Sequence, residues 1–66
     1  MSVAKIIEIS ASSKTSFDDA IKSGIAQASK TVKNIEGAWV QDQKVTVTNG
    51  AVTEYRVMLK VTFVLE

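Results

Sequence analysis

Neither cysteine nor histidine occurs in the chain, and the two absences remove a large share of protein chemistry. No disulfide can staple the fold, no zinc site of the Cys/His type can form, and neither a Ser-His-Asp nor a Cys-His constellation can be assembled. An excess of one charge is missing as well: eight Lys and Arg stand against seven Asp and Glu, a formal +1, with the signs interspersed. Without the basic block that follows a phosphate backbone, nucleic acid is not an expected partner. No segment approaches the roughly eighteen apolar residues of a membrane span. The start of the chain carries one lysine and a short apolar run, not the long apolar core of a signal peptide. The sequence therefore predicts a cytoplasmic protein with no membrane partner. It is not expected to be an enzyme, because no positioned acid-base pair or nucleophile can be named.

What is present is short. The 66 residues make one domain, residues 1–66, and a chain of this size buries only about 60% of the surface its unfolded form exposes. Small scaffolds supplement such a core with disulfides, a structural metal or association. With the first closed and the second nearly so, association is expected.

From Val3 to Ser12 the run VAKIIEISAS mixes β-branched with polar residues and reads as a first strand. SSKTS then turns, with Thr15 or Ser16 at a helix N-cap position and Asp18 and Asp19 where the helix dipole favours negative charge. Phe17, Ala20, Ile21, Gly24, Ile25, Ala28 and Val32 recur at spacings of three and four. This predicts an amphipathic helix from about Phe17 to about Lys33, with Lys30 and Lys33 in its last turns and Asn34 as its terminator. Small residues along the stripe, Ala20, Gly24 and Ala28, allow close approach to a sheet. Two further strands are expected at Ala38 to Thr48 and Ala51 to Glu66, joined by Asn49-Gly50, the strongest two-residue signal for a type I′ hairpin. In the last strand Tyr55, Val57, Leu59, Val61, Phe63 and Leu65 alternate with more polar residues, so one face is core.

The expected fold is α+β: a β-α-β-β chain whose three-stranded antiparallel sheet packs on one amphipathic helix, with the third strand central. The strands outreach the helix, and a second, semi-polar face carrying Ile6, Val40, Met58 and Val64 among charges reads as contact surface. Seven carboxylates, at Glu8, Asp18, Asp19, Glu36, Asp42, Glu54 and Glu66, are spread without a calcium loop. Only symmetry between subunits would gather them.

The segments KIIEISASSKTSFDDAI, ASKTVKNIEGAWVQDQ and TEYRVMLKVTFVLE together resemble the dodecins along essentially the whole chain. The resemblance implies a hollow homododecamer of cubic symmetry. It also implies flavin, riboflavin or FMN, as cofactor, stacked between tryptophans of two-fold-related subunits and hydrogen-bonded by a glutamine of the last strand, for storage and protection. Carried over residue by residue, the family's tryptophan position is Gly37 here, with Trp39 two residues later. Trp39 would project from the same face, displaced by about 6.6 Å. The glutamine position is Arg56, which donates hydrogen bonds but accepts none. Lys44 falls where some relatives place a basic residue near the flavin phosphate. The expected cofactor-binding residues are Trp39, Arg56, Gly37 and Lys44, and the expected partners are further copies of the chain and a small aromatic ligand.

Each of these residues also has a structural reading: Trp39 as packing at a subunit interface, and Arg56 in an ion pair with Glu54, Asp42 or Glu8. Those readings lead to the alternative, a flavin-free shell with a structural, ion-binding or partner-binding role.

Overall fold

The structure, a computed structural model, describes residues 3–65. Glu66, the last position of the predicted third strand and one of the seven carboxylates, lies outside the described residues. The elements are β1 (Val3–Ser13), α1 (Phe17–Ala28), β2 (Ile35–Thr48) and β3 (Ala51–Leu65). The sheet order is β1-β3-β2 with both pairings antiparallel, so β3 is central as its continuous apolar alternation requires.

The first turn of the chain is held by hydroxyls. Ser16 is extended at the N-cap of α1, and its Oγ accepts from the Asp19 backbone N–H at 3.0 Å, satisfying one of the helix's free donors. Ser13, the one buried polar residue among those described, accepts from the Thr15 N–H at 2.9 Å and donates to Asp19 Oδ2 at 2.7 Å. Its hydroxyl ties the end of β1 to the first turn of α1.

The helix stops sooner than its periodicity predicts. It ends at Ala28, capped by Ser29, and not near Lys33, so neither Lys30 nor Lys33 lies in its last turn. Side-chain hydroxyls compete for the carbonyls there: Ser29 Oγ donates to Ile25 O at 2.8 Å, and Thr31 Oγ1 reaches Ala28 O at 3.5 Å. The backbone tightens into i→i+3 bonds, Lys30 N to Gln27 O and Thr31 N to Ala28 O, before leaving the axis. Asn34 does take the left-handed conformation, at φ 63°, but it immediately precedes β2 instead of ending α1. Its carbonyl accepts from Val64 N at 3.1 Å, so the strand begins at Ile35, three residues before Ala38.

Helix and sheet approach closely at Gly24. A Cβ added there would lie 2.8 Å from the Ala11 Cβ, a distance real side chains do not tolerate, so the glycine is a packing requirement. Around this contact Ala20, Val57, Leu59 and Val61 are fully buried, with Ile7, Ile9, Ile21, Ile25, Phe17 and Ile35 packed beside them. Tyr55 meets Phe17 edge-on, with ring centroids 5.2 Å apart. At the hairpin, Asn49 (φ 51°) and Gly50 (φ 78°) both adopt the positive φ of a type I′ turn.

The sheet ladder is interrupted three times, between Ile35 and Gly37, between Val40 and Asp42, and between Thr46 and Val47. The first two place one extra residue on β2, Glu36 and then Gln41. Each such bulge changes which face the following residues occupy. Val40 consequently stands opposite Leu59 on the helix side and not on the second face where the sequence places it.

Candidate functional site on the open face of the sheet

Helix α1 covers one side of the sheet, and among the described residues no element covers the other. Residues directly opposite one another in an antiparallel ladder share a face, so the register arranges that open side into rows: Ile6, Thr62 and Gly37; Glu8, Lys60 and Trp39; Ser10, Met58 and Asp42; Ser12, Arg56 and Lys44. Trp39 stands there 48% exposed, which for the largest side chain is a substantial uncovered apolar area. Gly37 shares its face, as the alternation predicts, and a Cβ built on Gly37 meets no atom within 4 Å. The chain thus leaves empty space beside its tryptophan.

Arg56 and Lys44 face each other directly across β2 and β3. Two cations so placed repel. Glu54, two residues before Arg56 on the same strand and face, offsets this: its Oε1 accepts from Arg56 Nε at 3.1 Å and lies 3.0 Å from Nη2. With Arg56 48% and Glu54 31% exposed, the pair is a solvated one that orients the guanidinium more than it stabilises the fold. Beside it lies a concavity of about 250 Å³ lined by Ser10, Asp42, Lys44, Arg56 and Met58, among others.

The four residues singled out from the sequence therefore form two pairs in one chain. Arg56 and Lys44 are brought together at the concavity. Gly37 and Trp39 lie on the same face but outside it, because the Lys60 row and the Arg56 row are four residues of β3 apart, about 13 Å. Ser10, Asp42 and Met58 also line the concavity; alternation from Arg56 points to Met58, whereas Ser10 and Asp42 need the cross-strand register. Among the described residues no group of three or more Asp or Glu side chains is gathered closely enough to hold a metal, and no helix is long and apolar enough to cross a membrane.

Comparison with known proteins puts this arrangement in context. The family model described as Dodecin matches residues 3–66. The dodecin of Thermus thermophilus is 33% identical over 64 residues, covering 97% of this chain and 93% of the relative. A crystal structure of an arginine-to-alanine variant of T. thermophilus dodecin superimposes with a TM-score of 0.94 at 32% identity, over 100% of this chain and 98% of the other. The Mycobacterium tuberculosis calcium dodecin, described as a calcium-chelating antigen with a novel calcium-binding site, matches with a TM-score of 0.83 at 32% identity, over 97% and 91% of the two chains. With the match running from the first described strand to the end of the chain, and the same β-α-β-β topology throughout, the chain belongs to the dodecin family.

Proposed function

We propose that the chain assembles into a homododecameric shell in the cytoplasm that binds and buffers flavin, riboflavin or FMN, in pockets shared between subunits, and that it acts as a binding protein without catalysing a reaction. The observation that carries the ligand half of this reading is Trp39, half exposed on an uncovered sheet face beside the space left at Gly37. A planar ring entering that space stacks on the indole. In a pocket shared by two subunits, the Arg56 and Lys44 pair of one copy faces the Trp39 and Gly37 pair of another, which joins what a single chain keeps about 13 Å apart. Arg56 supplies donors to the carbonyl oxygens of the ring, Lys44 a cation for a phosphate, and the missing acceptor at position 56 lowers selectivity for the ring N–H.

A second reading is supported by the Arg56–Glu54 contact, in which both Nε and Nη2 are already engaged by one carboxylate oxygen. There the shell carries no flavin, Trp39 packs at a subunit contact, and carboxylates are gathered by symmetry for ion binding; a relative described as calcium-chelating supports an ion as the ligand.

Titration of riboflavin and FMN with the purified apo-protein distinguishes the two. Storage of flavin predicts loss of flavin and Trp39 fluorescence saturating near one flavin per subunit, and retention of full flavin fluorescence with Trp39→Ala. Unquenched flavin in the presence of the unaltered protein would establish the flavin-free reading.

A further inference from the structure

The row of the open face that carries Trp39 also carries two side chains of opposite charge. In the ladder Lys60 of β3 is paired with Trp39 of β2 on one side and with Glu8 of β1 on the other. With neighbouring strands about 4.8 Å apart, the lysine stands one strand from the tryptophan and the glutamate two. Opposite charges directly across a ladder attract. Among the described residues, however, the only ion pair joins Arg56 to Glu54, which leaves the Lys60 ammonium and the Glu8 carboxylate able to hydrogen-bond another molecule. Glu8 is exposed and Lys60 half-buried. In the next row Ile6 is 53% exposed, Thr62 lies between, and the position at Gly37 is unfilled. Apolar surface, empty space and an uncommitted donor and acceptor therefore adjoin the indole within one chain.

We propose that Lys60 and Glu8 read the edge of a planar heteroaromatic ligand stacked on Trp39, the ammonium donating to a ring carbonyl and the carboxylate accepting from the adjacent ring N–H. This rests on the flavin reading above and deepens it, because the pyrimidine edge of a flavin presents a ring N–H between two carbonyls. Glu8 supplies the acceptor that Arg56 lacks. Arg56 of the same chain cannot take this part: its row lies about 13 Å from that of Trp39, and its Nε and Nη2 are turned to Glu54. The ligand class is thereby narrowed to flat rings with an imide edge. A ring without the N–H would cover the Glu8 carboxylate and give it nothing to accept, a loss of solvation with no compensation.

The test is a fluorescence-quenching titration of the apo-protein with riboflavin and with riboflavin methylated at the imide nitrogen, which has no N–H at that edge. The unaltered protein is expected to bind riboflavin more tightly by about tenfold or more, the effect of one hydrogen bond to a charged group. In Glu8→Ala the preference is expected to fall to within about twofold, whereas Glu8→Gln, whose amide oxygen still accepts, keeps most of it. Lys60→Met is expected to weaken both flavins alike and leave their ratio standing. Each ratio is taken within one variant, so a change in folding or assembly cancels. A Glu8→Ala variant with the full preference for riboflavin would overturn the assignment, as would an unaltered protein that binds the two flavins equally. Loss of all binding in both Glu8 variants would make the residue structural and overturn it too. An unaltered protein that quenches neither flavin would instead remove the flavin reading itself, and this edge recognition with it.

Discussion

The two faces of β3 are made by alternate residues of one strand and do opposite work. On the helix side Val57, Leu59 and Val61 are at most 2% exposed and hold the subunit together. On the other side Arg56, Met58, Lys60, Thr62 and Val64 keep partial exposure and meet Lys44, Asp42, Trp39 and Gly37 across the ladder. A three-stranded sheet with one helix leaves its second face uncovered, and that face is open to ligands and partners. Apolar character on the first side specifies the fold. Mixed character on the second, a tryptophan among charges, is the composition of a contact surface.

The contrast predicts a steep difference in sensitivity between the faces. Val61→Asp, on the covered side, places an unpaired carboxylate where the native side chain is fully buried, and is expected to destabilise by more than about 3 kcal/mol and abolish cooperative thermal unfolding followed by circular dichroism. A native-like melt in that variant would contradict the assignment of faces. Gly24→Ala is milder. The new Cβ collides with that of Ala11, so overpacking of about 1–3 kcal/mol outweighs a helix-propensity gain of about 1 kcal/mol. Adding Ala11→Gly should recover most of the loss in a double-mutant cycle, whereas additive losses would place the strain elsewhere. On the open face, Glu54→Gln removes a solvated ion pair and is expected to change stability by less than about 1 kcal/mol in denaturant unfolding. A larger loss would mean that Arg56 and Glu54 are structural.

The covered face was legible in the sequence because it obeys simple periods: the helix stripe from Phe17 to Ala28, the alternation from Tyr55 to Leu65, and the Asn49-Gly50 turn all stand where the pattern puts them. The helix C-terminus was not, because Val32 keeps the apolar spacing while the hydroxyls of Ser29 and Thr31 divert the backbone. The open face was legible only in part. Strict alternation from Trp39 puts Lys44 on the opposite side, and the extra residue at Gln41 returns both Asp42 and Lys44 to the side of Trp39. Gln41 looks like any polar strand residue, so nothing in the sequence marks the bulge. The role of Ser13 was equally hidden among the serines of its turn, since the hydroxyl that becomes buried is decided by the docking of α1.

The shared pocket proposed on the open face depends on association, and the mass of the purified particle tests that directly. Size-exclusion chromatography with light scattering is expected to give a single species of roughly a dozen chains that persists on dilution into the low micromolar range. A folded, cooperatively melting species with the mass of one chain would contradict the account: the small core would then suffice alone, and the exposed tryptophan would need another explanation.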